Sequence, residues 1–159
     1  PGYGKSTGKR SEQVFYDDAM LLYKMAIKNV SAEHIIIYGK SLGSGIAAQL
    51  ASVRDCKRLI LETPYYNFPS VVGRYLPIYP MQWMMKYQLP TGQYLEYVAA
   101  PVSIFHGTRD GVVAYKHSRR LQKLFKPADE LITIQGGHHN DLFSYPKAVQ
   151  KLDSLLQLP

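Results

Sequence analysis

The clearest candidate for chemistry in the chain is a Gly-Lys-Ser-Leu-Gly sequence at residues 39–43. It follows the apolar run at residues 35–38 and precedes a helical pattern, which is the strand–turn–helix setting that a GxSxG nucleophile turn requires. In that setting Ser41 would stand on a sharp turn above a sheet, near the positive end of a helix. The backbone N–H of Leu42 would point to the place where an oxyanion forms. The motif therefore predicts Ser41 as a nucleophile.

A nucleophilic serine needs a base and an acid that orients the base. Around such a turn they follow in the order Ser, Asp, His, each just after a strand. Asp110 comes after the apolar run at residues 102–105, and we predict that it is the acid, with Glu62 as the alternative. The base is expected after the last apolar run, where His138 and His139 are adjacent and are both candidates.

Competing chemistries find little support in the residues. The Gly-Lys-Ser sequence at residues 39–41 resembles the end of a phosphate-binding loop, but that motif needs a glycine where the chain has His34. The single cysteine, Cys56, excludes an internal disulfide and a CxxC metal site. Two adjacent histidines without a further ligand cluster do not predict a metal site, and no cofactor is implied.

The charge balance suggests other partners but does not identify one. The formal net charge of +7 would suit nucleic acid or an anionic membrane. The basic residues are scattered, however, and nothing resembles a base-reading module, so nucleic acid is not predicted as a partner. A membrane-surface role through Arg74, Lys86 and Trp83 is kept as an alternative hypothesis.

The elements that must position these residues alternate between strands and helices. Four short apolar runs are predicted to be buried strands: residues 35–38, 59–61, 102–105 and 131–134. Helical spacing predicts four helices: residues 11–29 capped by Ser11, 42–53, 115–125, and a closing helix from Pro146. The alternation predicts an α/β fold with a mainly parallel sheet flanked by helices.

Residues 64–100 break this alternation. They hold five of the ten prolines and nine of the nineteen aromatic residues. We predict a loop-like insertion that forms a lid over an apolar pocket, with Tyr65, Tyr66 and Trp83 contacting the substrate. An irregular part of the core is the alternative interpretation.

Taken together, these motifs resemble the α/β-hydrolase superfamily. More narrowly, the chain resembles the α/β-hydrolase-domain group that includes protein depalmitoylases and lysophospholipases. The likeness rests on residues 39–43, on His-Gly-Thr-x-Asp-x-x-Val at residues 106–113, and on His-Asn-Asp at residues 139–141. The family's base is the histidine of His-Asn-Asp, so the resemblance favours His139 over His138. His106 is interpreted as a structural histidine.

The resemblance covers essentially the whole chain but implies the C-terminal portion of a longer domain. Residues 2–8, Gly-Tyr-Gly-Lys-Ser-Thr-Gly, match the family's segment after its fourth strand. The family's earlier strands, and the loop that supplies a second oxyanion donor, would lie upstream. We therefore predict a single partial domain over residues 1–159 that is poorly stable and weakly active alone, because losing one oxyanion donor costs about 10²–10³ in rate.

The expected function is a serine hydrolase acting on an ester or thioester of an apolar acyl group, carried by a small-molecule or lipid-like substrate. A serine peptidase of the same fold is the first alternative. A non-catalytic domain that binds hydrophobic ligands beneath the same lid is the second. Localisation stays open between the cytoplasm and membrane association through an upstream segment.

Overall fold

A parallel four-stranded sheet forms the centre of the protein, in a computed structural model that describes Gly8 and residues 11–157. The strands lie side by side in chain order: β1 Ile36–Lys40, β2 Arg58–Glu62, β3 Val102–Gly107 and β4 Glu130–Ile134. Each predicted apolar run is confirmed as a strand, with ends that differ by at most two residues. Apart from Gly8, the family segment predicted at residues 2–8 lies outside the described residues.

Helices surround the sheet. The seven α-helices in the described residues are α1 Glu12–Ala26, α2 Leu42–Val53, α3 Phe68–Val72, α4 Met81–Met84, α5 Thr91–Leu95, α6 Lys116–Leu121 and α7 Pro146–Leu156. Ser11 caps α1 as predicted, because its side chain accepts the Val14 N–H at 3.2 Å. The helix predicted over residues 115–125 is shorter, since the chain tightens into a 3₁₀ turn at Gln122–Leu124 after α6. None of the described helices is long and apolar enough to cross a membrane.

Each strand is a short run of apolar residues because helices cover both faces of the sheet. Leu59 and Leu61 face a core built with α1, α2 and α5, whereas Ile60 between them faces a second core built with α7. All three side chains are fully buried. The sheet therefore holds its carboxyl edge, where the candidate residues lie, between two packed layers.

Segment 64–100 is more regular than the predicted loop-like insertion. It contains α3, α4 and α5, each of four or five residues. Asn67 caps α3 by accepting the Ser70 N–H, and Pro69 sits in the first turn, where a missing N–H costs nothing. The base of the segment is packed: Tyr65, Val71 and Leu89 share a buried apolar cluster with Tyr16 of α1 and Val113.

Candidate active site

Ser41 lies on a strained turn between β1 and α2. Its φ is +48° and its ψ is −118°, a conformation that residues with side chains rarely adopt. The turn is tight because Gly39 lies against the start of α2: a Cβ on Gly39 would lie 2.5 Å from Ala47 Cβ and 2.6 Å from the Gly43 carbonyl oxygen. The Ser41 N–H donates to the Glu62 carbonyl at 2.9 Å, which fastens the turn to the end of β2.

Leu42 opens α2 immediately after the serine. As the first residue of a helix, it has a backbone N–H without a partner inside that helix, and the helix dipole makes this end positive. Its carbonyl is held by the Tyr65 hydroxyl, which donates to it at 2.9 Å. Tyr65 is itself 1% exposed, so the backbone after Ser41 is anchored to the core.

A histidine and an aspartate from later loops meet Ser41. His139 Nε2 lies 3.0 Å from Ser41 Oγ, and His139 Nδ1 lies 2.8 Å from Asp110 Oδ2. His138 lies on the surface and pairs instead with Asp141 at 3.0 Å. The structure thus brings together Ser41, His139 and Asp110, and it places His138 away from the serine.

The Asp110 carboxylate is nearly buried and saturated with hydrogen bonds. Its Oδ1 accepts the backbone N–H groups of Val112 and Val113, both at 2.8 Å. Burial alone would raise the pKa of this carboxyl, but hydrogen bonds from His106, His139 and the two N–H groups outweigh burial and lower the pKa to about 2. Asp110 is therefore a carboxylate throughout the neutral range.

His106 lies next to Asp110, and the sequence alone did not reveal this contact. The interpretation as a structural histidine was incomplete: the ring is fully buried, and its Nδ1 lies 2.6 Å from Ser118 Oγ. Its Nε2 lies 2.8 Å from the Val113 carbonyl and 3.3 Å from Asp110 Oδ2. The available signal was the spacing of four residues between His106 and Asp110 across a turn at the end of β3.

The alternative acid does not contact His139, and the predicted substrate contacts differ in their surroundings. The buried carboxylate of Glu62 pairs with Lys40 at 2.8 Å and accepts the Tyr38 hydroxyl, so the acid beside His139 is Asp110. Tyr66 is half-buried, with the Arg120 guanidinium 3.6 Å above its ring. The three aromatic residues predicted to contact the substrate differ widely in exposure, from buried Tyr65 to Trp83, which is 88% exposed.

No group of three or more His, Cys, Asp or Glu side chains within the described residues could hold a metal ion. The arrangement around Ser41 contains the parts for acyl transfer without one: a nucleophile, a base in contact with it, and an acid in contact with the base. The N-terminus of α2 lies next to the nucleophile.

The chain is similar in sequence to curated α/β-hydrolase-domain proteins. The mouse (Mus musculus) protein named alpha/beta hydrolase domain-containing protein 17C is 29% identical over 163 residues, covering 98% of this chain and 48% of that protein. The chain spans about half the length of the curated relatives it matches. No protein-family model matches it.

Solved structures show the same fold. An esterase of Pyrococcus furiosus superimposes with a TM-score of 0.74 at 18% identity, covering 96% of this chain and 65% of that one. A monoacylglycerol lipase of Paleococcus ferrophilus superimposes with a TM-score of 0.68 at 19% identity, covering 98% of this chain and 80% of that one. The chain therefore has the α/β-hydrolase fold, as the resemblance of its motifs predicted.

Proposed function

We propose that the protein is a serine hydrolase that cleaves an ester or thioester of an apolar acyl group. One observation carries the proposal: the unbroken line of hydrogen bonds from Asp110 through His139 to Ser41, at 2.8 and 3.0 Å. A nucleophile in reach of a base, with the base held by an acid, is the arrangement that serine hydrolases use on unrelated folds.

The reaction follows from the atoms in this line. Ser41 Oγ attacks the acyl carbonyl while His139 Nε2 accepts its proton, and the Leu42 N–H stabilises the tetrahedral oxyanion. Collapse expels the alcohol or thiol, which leaves with the proton from His139, and the acyl group stays on Ser41. Water then attacks the acyl-enzyme and gives a proton to Nε2, and the acid product departs as Ser41 regains that proton.

Asp110 sets the direction of this proton transfer. Because its pKa is about 2, it is an anion at neutral pH and accepts the Nδ1–H of His139. That hydrogen bond leaves Nε2 free of a proton and facing Ser41, which is the tautomer a general base needs. The carboxylate also stabilises the imidazolium that forms when the serine proton arrives.

The apolar character of the substrate is supported by the surroundings of Ser41. Tyr65, Val71 and Leu89 of segment 64–100 belong to a buried apolar cluster, and Tyr65 is hydrogen-bonded to the residue after the nucleophile. Apolar surfaces favour an acyl chain over a peptide. A peptidase of the same fold would cleave amides instead. A non-catalytic domain would keep its ligand affinity after Ser41→Ala and show no turnover in either form.

Two exposed apolar side chains favour a second proposal, contact with a membrane surface. Ile78 is 90% exposed and Trp83 is 88% exposed, and the same segment carries Arg74 and Lys86. Apolar side chains flanked by cations suit the interface of an anionic bilayer. Sedimentation with anionic vesicles that is lost at high salt supports this contact, and equal recovery with and without vesicles contradicts it.

Turnover of p-nitrophenyl octanoate by the two adjacent histidine variants tests the proposed hydrolase. His139→Asn should lower kcat/KM by about 10²–10⁴-fold, because general-base catalysis is lost. His138→Asn is the matched control and should stay within about twofold of the unaltered protein, since surface substitutions have small effects. Equal losses in both variants would overturn the assignment of the base, and a preference for p-nitrophenyl acetate would overturn the apolar acyl group.

A further inference from the structure

A basic groove lies beside segment 64–100. It consists of two depressions of about 510 and 310 Å³, and Ser70 and Lys116 line both of them, so the two adjoin. Arg74 lines the larger depression, and His117 and Arg120 line the smaller one. These five residues are termed the basic groove.

The charges of the basic groove are not balanced by carboxylates. The residues that line the two depressions include Arg74, Lys116 and Arg120 and no Asp or Glu. Elsewhere in the described residues cations pair with carboxylates, as Lys40, Lys126 and Lys151 do at 2.7–2.9 Å. Cations gathered without a counter-charge repel one another, and a bound anion removes that cost.

His117 adds a neutral donor to this groove. Its ring is buried, and its Nδ1 accepts the Tyr66 N–H at 3.3 Å, so the ring proton is on Nε2. Burial, together with the nearby positive charges of Lys116 and Arg120, lowers its pKa to about 4. The Arg120 guanidinium is held in place over the Tyr66 ring, at 3.6 Å from its centroid.

The larger depression also has an apolar wall. Pro77, Tyr79, Met81 and Trp83 line it together with Arg74. A ligand that suits this lining carries both an anionic group and an apolar part. The groove adjoins the loop of the acid, because the hydroxyl of Tyr75, next to Arg74, donates to the Gly111 carbonyl at 3.0 Å.

We propose that the basic groove binds a phosphate group carried by the part of the substrate that leaves when Ser41 is acylated. Arg74, Lys116 and Arg120 supply the positive charge, and guanidinium groups match phosphate oxygens two at a time. His117 supplies a neutral donor. The link to the reaction rests on the proposed hydrolase, whereas binding of the phosphate group does not.

Fluorescence of Trp83, the sole tryptophan, measures binding directly because this residue lines the groove. The protein carries Ser41→Ala, so no turnover contributes. Titration with octyl phosphate below its micelle concentration should give a saturable change. The double variant Arg74→Gln/Lys116→Gln should weaken binding at least about tenfold, because two phosphate contacts are lost.

A matched double variant controls for net charge. Lys28→Gln/Lys123→Gln removes two exposed cations that do not line the groove, and octyl phosphate binding should be unchanged. Equal weakening in both double variants, or equally tight binding of the uncharged octyl glucoside, would overturn the proposal. Unfolding curves of each variant identify any loss of octyl phosphate binding that is caused by misfolding. In that case Arg120→Lys, which retains the positive charge but not the planar guanidinium group, is the second test.

Competition with inorganic phosphate distinguishes free phosphate from a phosphate ester as the ligand of the basic groove. Displacement of octyl phosphate by inorganic phosphate would show that the two bind at one site. Octyl phosphate binding at least about tenfold tighter than inorganic phosphate supports a phosphate ester as the ligand, whereas similar affinities would identify free phosphate and overturn binding of a phosphate group carried by the substrate. A fluorescence change with anionic vesicles but not with octyl phosphate would overturn the proposal in favour of a membrane surface. If Ser41 hydrolyses no ester at all, the proposed function fails while the binding result stands by itself.

Discussion

Two regions of the protein are built in different ways: the carboxyl edge of the sheet and segment 64–100. At the edge, Ser41, Asp110 and His139 each follow a strand that its neighbours hold in register, and they meet at 2.8–3.0 Å. Segment 64–100 joins β2 to β3 through three short helices and leaves Ile78 90% exposed. Under the proposed function the reacting groups lie on strand ends, and we expect segment 64–100 to select the substrate.

Specific hydrogen bonds tie segment 64–100 to the rest of the protein. The Glu12 carboxylate at the start of α1 accepts the N–H of Gln88 at 2.7 Å and of Leu89 at 3.2 Å, and also the Tyr16 hydroxyl. Tyr75 contributes a further link through the Gly111 carbonyl. The comparison therefore predicts large effects on activity at the sheet edge and modest effects on stability across the segment.

The largest effect is expected at the acid. Asp110→Asn should lower kcat/KM for p-nitrophenyl octanoate by about 10³–10⁴-fold, because an amide favours the wrong tautomer of His139. Asp141→Asn is the matched control, since Asp141 pairs with the exposed His138, and its activity should stay within about twofold of the unaltered protein. A small loss in Asp110→Asn would show that the sheet edge does not carry the chemistry.

The two glycines of the nucleophile turn should differ in their effect on stability. Gly39→Ala places a Cβ 2.5 Å from Ala47 Cβ and should lower the free energy of unfolding by about 1–3 kcal/mol or more. Gly43→Ala meets no atom within 4 Å in the first turn of α2, and it should be neutral or stabilise by up to about 1 kcal/mol. Urea unfolding measures both, and equal losses would contradict the tight turn at Gly39.

The link between α1 and segment 64–100 is tested at Glu12. Glu12→Ala leaves the N–H groups of Gln88 and Leu89 without their acceptor and should cost about 1–3 kcal/mol. Limited proteolysis should then cut segment 64–100 faster, whereas Asp17→Ala, an exposed carboxylate on the same helix, should leave the cleavage rate unchanged. Unchanged cleavage in Glu12→Ala would mean that other contacts hold the segment.

The buried His117 predicts how stability depends on pH. Its folded pKa of about 4 lies below the value of about 6.5 for a free histidine, so the unfolded state binds more protons between these values. The free energy of unfolding should therefore fall as the pH decreases from about 6.5 to 4, by up to about 3 kcal/mol. His117→Gln should remove this part of the dependence, and an identical pH profile in the variant would contradict the burial of a neutral ring.

The smallest effect is expected at the exposed tip of segment 64–100. Ile78→Ser should change the free energy of unfolding by less than about 0.5 kcal/mol, because the side chain is 90% exposed. Ile60→Ala, in the fully buried centre of β2, should cost about 2–5 kcal/mol. Comparable losses at the two isoleucines would remove the contrast between the sheet and the segment.

Local pattern was sufficient to predict the sheet and the turn at Ser41, because buried parallel strands are short apolar runs and each is followed by a loop on the same edge. It could not distinguish His138 from His139 as the base, because two adjacent residues have nearly the same spacing from the last strand. The helices of segment 64–100 were missed because four or five residues are too few for apolar periodicity. The contact of Glu12 with Gln88 spans 76 residues, and only the fold brings the two together.

Labelling with a fluorophosphonate probe, followed by peptide mapping, tests whether Ser41 is an activated nucleophile. The probe reacts only with a serine that a neighbouring base activates, so it reports the contact between Ser41 and His139 without any choice of substrate. We expect a single adduct on Ser41 that is absent in Ser41→Ala and in His139→Asn and retained in His138→Asn. An adduct that persists in Ser41→Ala, or a folded protein that is not labelled at all, would contradict the assignment of Ser41 as the nucleophile.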